Sequence, residues 1–578
     1  MILENNQNQN KPQKVIPAKL PHEVFKALEN IVGKKWVSQD RAIIETYSLF
    51  SVDSTGTLRK HARDSATIPA CVVLPQTTED VQAIVRIANR YRIPFIPFTN
   101  GFVAASGPTS SEPTLCIHLS RMNKILSIDP ENMAATIQAY VDYGQLQAET
   151  MKFGLWNGGT PLATSICKPA SQTALAGVWQ TDLKYGTLSR NILSAKVVLP
   201  TGDLLVTGSD SVAGNEPFWE FGPGPDLFGL IRGSGGTTGI ITEITVKLHP
   251  WPGPDSLPEP EAGRPSLQTV ADCRWDMPEP PHGIKLLWAE FPDYESELAA
   301  LQKIARSGIG FGLNATGVYN AYYCSTTQDM TIERLRTKFF PAYNCYLVIA
   351  GFVSKQQLEY EEQVFRDIIA ETSGTVLSEK YKAEVWQALK NWNLDCIRHV
   401  TGFRMNRHTY GGSIVPLGTL HQVAYTTRAV WKQALETFGA TYPSDSGGIE
   451  ETPFLYALDR CGRFWLSEAD VYPDPTDPEK LATARALIFS SNVAFLARKQ
   501  MPPVQGVLLE PFVSAYPEYG PHAYKLLRLF RKAFDPLSIC APGRQVYTED
   551  ELSRLPQQLR DFINAMRTLH GLAALTFK

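Results

Sequence analysis

Three short strings in this chain combine residue types that could hold a ligand. In GFVAASGP at 101–108, Gly101, Ala104, Ala105, Ser106 and Gly107 follow an apolar run. Residues that small let the backbone come close to a ligand, and successive amides there can form a concave nest for phosphate oxygens. An ordinary surface turn has the same composition. In GPGPDLFGLIRGSGGTTGIITEITVKL at 222–248, the cluster Gly233, Gly235, Gly236 and Gly239 runs directly into a strand-like apolar string. That pattern suits either a close approach of backbone to ligand or a hairpin whose glycines serve packing. In FDPLSICAPGRQ at 534–545, a helix stop is followed by a second turn at Pro542 and Gly543. Arg544 then stands either as a solvated charge or as a partner for an anion.

Several classes of chemistry are excluded. After Gly233 and Gly235, the place where a dinucleotide fingerprint needs its third glycine holds Thr238, and a strand follows where a helix should. No GxxxxGKS string occurs, which removes the phosphate loop of nucleoside-triphosphate enzymes. The nine cysteines are scattered without a CxxC pair, which speaks against a disulfide framework, a structural zinc site and a haem attached through CxxCH. A net charge of -3 across 578 residues, 20% of them charged, offers no broad attraction to nucleic acid or acidic lipid. The amino-terminal MILENNQNQNKPQK is polar, so residues 1–15 are expected to lack ordered structure. With no apolar run long enough to span a bilayer, the expected location is cytoplasmic.

The elements that would position these strings follow from periodicity. CVVL at 71–74 reads as a short strand. Thr77 opens a helix whose Val81, Ile84, Val85 and Ala88 recur at helical spacing, and IPFIPF ends a second strand at Thr99. LSAKVVLPTGDLLV at 193–206 reads as two strands joined at Pro200, Thr201, Gly202 and Asp203. Crossovers and hairpins together make an α+β domain. The Pro- and Gly-rich stretch 251–265 is the expected boundary, with a second domain from Ser266. The clearest helix of that domain starts at Ser354, buries Leu358, Val364, Phe365, Ile368 and Ile369, and stops at Ser373 and Gly374.

Taken in order, these strings resemble the flavoprotein family of vanillyl-alcohol oxidase and p-cresol methylhydroxylase (4-cresol dehydrogenase), with partial similarity to glycolate oxidase and D-lactate dehydrogenase FAD subunits. The resemblance is carried by LPQTTEDVQAIVRIANRYRIPFIPF at 74–98, IHLSRMNKILSIDPEN at 117–132, YGTLSRNILSAKVVLPTGDLL at 185–205, GPDLFGL, GTTGIITE, RHTYGGSIVP at 407–416 and FDPLSICAPGRQ. It implies a two-domain FAD-binding fold: a flavin domain over 16–265, a substrate cap over 266–500, and a tail over 501–578 that returns to the flavin domain. It also implies FAD as cofactor. Phe98, Thr99, Asn100, Gly101, Phe102, Val103, Ala104, Ser106 and Gly107 would lie at the diphosphate. Pro169, Ala170, Ser171, Gly177 and Thr187 would run along the cofactor, and Gly239 and Ile241 would lie near its adenine or ribityl part.

The implied reaction is removal of hydride from an alcohol or phenolic substrate to flavin N5, with electrons passing to oxygen or an external carrier. Tyr185, His408, Tyr410 and Glu510 are candidates to orient or deprotonate the hydroxyl, and Arg544 to stabilise negative charge on reduced flavin or substrate. FAD would be held noncovalently, His408 and Tyr410 being the candidates for a single covalent link. No metal is implied, and the relatives suggest a homo-oligomer. Three departures stand out: the phosphate loop has no tyrosine, Thr187 replaces the acidic residue expected after YG, and 505–510 reads QGVLLE where a tyrosine–arginine pair is expected. These keep two alternatives open: a 2-hydroxy-acid dehydrogenase, and a flavin-binding scaffold whose catalysis has decayed.

Overall fold

The computed structural model describes residues 19–47, 68–99, 112–159, 167–175, 177–178, 181–251, 253, 255, 283–315, 341–377, 412–414, 416–438, 454–471, 491, 494–495, 521–542, 544, 548, 551, 553 and 557. The expectations for residues 1–15, for most of the 251–265 boundary, and for His408, Tyr410, Glu510 and the loop from Asn100 to Gly107 lie outside the described residues.

Among the described residues, the amino-terminal half carries two larger sheets and one two-stranded pairing. In the first, β1 (Val37–Ser38), β2 (Cys71–Val73), β3 (Phe95–Phe98) and β4 (Leu115–His118) are ordered β1-β2-β4-β3, with β2 and β3 both parallel to β4. The helix Thr78–Tyr91 connects β2 to β3 as expected, and its Thr77 cap is reciprocated by Asp80, satisfying amides that the first turn leaves unpaired. The strands flanking this helix are not neighbours, because β4 inserts between them and takes both sets of backbone bonds. The second sheet is ordered β5-β6-β10-β8-β9: β5 (Ile125–Asp129), β6 (Ala134–Gln138), β8 (Ile192–Val198), β9 (Leu204–Val206) and β10 (Ile240–Lys247). The expected hairpin is β8–β9, closed by Leu199 N to Asp203 O at 2.8 Å. Asn89 braces its turn by donating to the Pro200 carbonyl at 2.6 Å.

The glycine cluster enters β10 as the sequence suggests. Gly239 takes φ +134°, and a side chain there would collide with the Val198 backbone. Its need for glycine is therefore explained by strand packing. The carboxyl-terminal segment returns to this half: Ala541 N donates to Phe95 O at 2.7 Å, and Phe95 N donates to Ile539 O at 2.8 Å.

A further sheet spans the second half, ordered β15-β12-β14-β13-β18-β19-β16 with β17 paired to β19. Its strands are β12 (Ile284–Glu290), β13 (Gly312–Ala315), β14 (Asn344–Ala350), β15 (Thr375–Val376), β16 (Gly412–Ile414), β17 (Leu417–Gly418), β18 (Phe454–Ala457) and β19 (Trp465–Val471). Strand periodicity sends alternate side chains to opposite faces. Leu287, Ala289, Cys345, Leu347 and Ile349 pack with helices Tyr294–Ser307, Lys355–Glu371 and Leu420–Phe438. Leu286, Trp288, Tyr346, Val348 and Ala350 face the other way and meet Met151, Trp156 and Trp251 from the first half. An aromatic seam thus joins the two halves. The helix expected at Ser354 is present, capped by that serine's side chain and ending before Ser373, which takes φ +60°.

Candidate active site

Two groups of polar side chains lie close to the expected cofactor segments. The first gathers where β3 and β4 end. Phe98, half-buried at the end of β3, packs edge-on against Tyr47 at 5.0 Å and His118 at 5.1 Å. The Tyr47 hydroxyl lies 2.8 Å from His118 Nδ1. Burial pushes the Tyr47 phenol up to about 12, so it stays neutral and donates, leaving Nδ1 as the acceptor. Burial also holds His118 down to about 4; hydrogen bonding to the Thr99 backbone opposes this and the charge of Lys168 adds to it. The imidazole is therefore neutral at pH 7.

Lys168 belongs to the same group. It stands at the position before the helix Pro169–Ala174 without capping it through its side chain, of which only 4% is exposed. Its ammonium sits 4.5 Å from the centre of the Tyr140 ring and 3.8 Å from Asp142 Oδ2. Pro169, Ala170 and Ser171 form the first turn of that helix, and the Ser171 hydroxyl donates back to the Lys168 carbonyl at 2.9 Å. Gly177 closes the segment through its amide to Gln172 O at 2.7 Å.

Arg544 meets the glycine cluster. It is buried, and its Nη1 donates to Gly235 O at 3.1 Å, while Cys540 Sγ reaches Gly236 O at 3.3 Å. A side chain added to Gly236, whose φ is +82°, would come within 2.7 Å of Pro97 Cγ on β3. The structure therefore joins three strings far apart in sequence: the end of β3, the 233–236 cluster and the carboxyl-terminal turn. Ile241 points into the apolar core.

The second group lies at the seam. Tyr185 ends the short helix Asp182–Tyr185, and Gly186, at φ +73°, turns the chain out of it. The Tyr185 ring packs against His249 at 4.4 Å and edge-on to Trp156 at 5.6 Å. His249 is fixed from both sides. Its backbone pairs with Trp156 where β11 (His249–Pro250) meets β7 (Leu155–Trp156), and its Nε2 lies 2.8 Å from Asn191 Oδ1. The Asn191 amide nitrogen donates to the carbonyls of Asn157 and Lys247. Carbonyls only accept, so the amide orientation is determined and Oδ1 must accept from Nε2–H. The tautomer of His249 follows, with Nδ1 carrying the lone pair.

Burial, aided by the charges of Lys247 and Lys184, holds His249 down at about 4. Burial raises the Tyr185 phenol well above its usual range, with hydrogen bonding to Trp156 opposing. At neutral pH the pair consists of an unprotonated imidazole and a protonated phenol. Gly158 makes their approach feasible, since a side chain there would lie 2.6 Å from His249 Cδ2 and 3.0 Å from Tyr185 Cγ. Thr187, next to this pair in sequence, bonds through its hydroxyl to Ser189 at 3.2 Å.

The sequence names Tyr185, Arg544, Phe98, Thr187 and the Pro169–Ser171 and Gly177 segment among these groups, but not Tyr47, His118, Lys168, Asn191 or His249. His249 directly follows the strand string that ends at Leu248, and Lys168 directly precedes Pro169, so adjacency was the available signal.

Residues 69–208 match the family model described as an FAD binding domain. A probable mitochondrial D-lactate dehydrogenase of Danio rerio is 31% identical over 254 residues, covering 43% of this chain and 46% of the relative. The chain thus spans about half the length of the curated relatives it matches. Among solved structures, p-cresol methylhydroxylase with substrate bound superposes with a TM-score of 0.70 at 20% identity, over 91% of this chain and 96% of that one. The 4-ethylphenol oxidase from Gulosibacter chungangensis, in complex with isoeugenol, gives 0.72 at 18% identity, over 93% and 99%.

Proposed function

From a chain whose residues 69–208 are an FAD binding domain, set in the fold of p-cresol methylhydroxylase, we propose an FAD-dependent oxidoreductase that removes hydride from a hydroxyl-bearing substrate, alcohol or phenolic. The observation that carries this reading is the half-buried Tyr185–His249 pair at the seam between the two halves, with the histidine's tautomer set by Asn191.

The residues fit the cofactor. A buried lysine, a buried arginine, a neutral histidine donor and the flat rings of Tyr47, Phe98 and Tyr140 make a donor set suited to an anionic dinucleotide. Phe98, Thr99 and the loop to Gly107 would hold it at one end, with Pro169–Ser171, Gly177 and Thr187 along its length. Bound FAD supplies a two-electron acceptor at N5.

The chain's own residues supply the rest. Nδ1 of His249 accepts the substrate's hydroxyl proton as the C–H electron pair leaves, and Tyr185 donates a hydrogen bond to the substrate oxygen. The packed seam of Trp156, Trp251, Phe311 and Trp288 excludes water from the reacting carbon. In this reading 16–265 with 501–578 forms the flavin domain and 266–500 the cap, the assembly is a homo-oligomer in the cytoplasm, and reoxidation is by oxygen or an external carrier. Among the described residues, no helix is long and apolar enough to cross a membrane.

A second reading, oxidation of a 2-hydroxy acid, is supported by Lys184. Its ammonium sits 4.0 Å from the Phe352 ring and 6.0 Å from the Tyr185 ring, a cation beside the pair that could meet a carboxylate. The likeness to a D-lactate dehydrogenase points the same way.

The test is an absorbance spectrum before and after acid precipitation, followed by anaerobic mixing with aromatic alcohols and with 2-hydroxy acids. Flavin colour that moves to the supernatant fits noncovalent FAD, whereas colour kept in the pellet points to His408 or Tyr410. Bleaching by one substrate set decides between the readings, and a colourless protein that takes up no FAD overturns both.

A further inference from the structure

Among the described residues, buried Lys168 has no carboxylate within hydrogen-bond distance of its ammonium. Asp142 is the nearest carboxylate, but at 3.8 Å it is beyond hydrogen-bond distance from the ammonium. Asp142 is also engaged elsewhere, since its other oxygen accepts the Gln145 amide at 2.7 Å and caps the helix Tyr143–Thr150. Among the described residues, its other neighbours include the Tyr140 ring face, the neutral imidazole of His118 and the Cys167 thiol. A desolvated cation held this loosely is costly unless an anion completes the site. Burial already lowers its proton affinity, with Asp142 and Cys167 opposing.

The position indicates which anion. His118, beside this group, pairs in the sheet with Phe98, the last residue of β3 ahead of the small-residue loop, inside the FAD binding domain. Among the described residues, the buried cations beside the expected cofactor segments are Lys168, Arg531 and Arg544; Arg531 is paired with Glu551 and Arg544 is engaged with the Gly235 carbonyl.

We propose that Lys168 is the counter-charge of the cofactor's diphosphate. The inference rests on the FAD reading and extends it to a side chain. It separates the two ends of the cofactor, because riboflavin has the same ring system and no phosphate.

The experiment titrates the full-length protein, freed of flavin, with FAD and with riboflavin, following flavin fluorescence. Lys168→Met should weaken FAD binding roughly ten- to hundredfold, the loss typical of a charge-assisted contact, and leave riboflavin binding unchanged. Lys168→Arg should restore most of the FAD affinity. Asp142→Asn, which keeps the helix cap and removes the competing carboxylate, should hold or raise FAD affinity even if Lys168→Met folds poorly. Equal losses for FAD and riboflavin, no loss for either, or weakened FAD binding in Asp142→Asn would overturn the assignment. An unaltered chain that binds no FAD would overturn the cofactor reading itself, a separate result.

Discussion

His249 Nε2 and Asn191 Oδ1 lie 2.8 Å apart, and the two carbonyls that receive the Asn191 amide nitrogen fix which ring nitrogen of His249 carries the proton. Asn191 thereby leaves Nδ1 as the ring nitrogen that can accept a hydrogen bond.

Asn191→Ala should cost about 1–3 kcal/mol of stability, because it strands the carbonyls of Asn157 and Lys247 and the Nε2 donor in a buried place. Denaturant titration reads this directly. Asn191→Asp places a carboxylate against the ring and favours imidazolium, so the acidic limb of the rate profile should move to higher pH. An unmoved profile would separate His249 from the proton transfer.

Acid should destabilise the fold in a defined window. His118 and His249 are both held at about 4 against an ordinary 6.5, so the folded state binds fewer protons than the unfolded chain between those values. Stability is full above pH 6.5, falls as pH drops toward 4, and levels off below it, by at most on the order of 3 kcal/mol per histidine. Thermal melts across that range should show the decline, and His249→Asn should lessen it.

Tyr185→Phe keeps the ring against His249 and Trp156 and removes only the hydroxyl. Turnover should fall by about 10²-fold while flavin content and melting temperature stay close to the original. Equal turnover in the variant would assign Tyr185 to packing alone.

Gly158→Ala should separate the pair. The added methyl meets both rings at a backbone φ of +82°, so stability should drop by about 1–3 kcal/mol, and turnover should fall further than in Tyr185→Phe. Comparing the two variants tells ring placement from hydroxyl chemistry.

Much of the fold was legible because local signals and tertiary demands agree. The Thr77 cap, the apolar spacing from Val81 to Ala88, the 200–203 turn and the Ser354 cap each satisfy their own backbone groups within a few residues, so reading them needs no partner. Where agreement ends, the sequence misleads. The helix Pro521–Phe534 exposes Leu526 and Leu529 and buries Arg531 at 3%, because that guanidinium donates to Cys540 O at 2.9 Å and pairs with Glu551 at 2.6 Å.

The sequence by itself determined several elements and their order, the strings that carry the family resemblance, and residues near the site including Tyr185, Arg544, Phe98 and the segment from Pro169 to Ser171. Only the tertiary structure decided which side chains meet. Tyr47 and His118 are 71 positions apart, Asn191 and His249 are 58 apart, and Arg544 reaches Gly235 across 309. Such contacts leave no periodic mark on the chain. Each partner is an ordinary polar residue until sheet pairing places it opposite the other, and its proton affinity is then set by the burial that pairing creates.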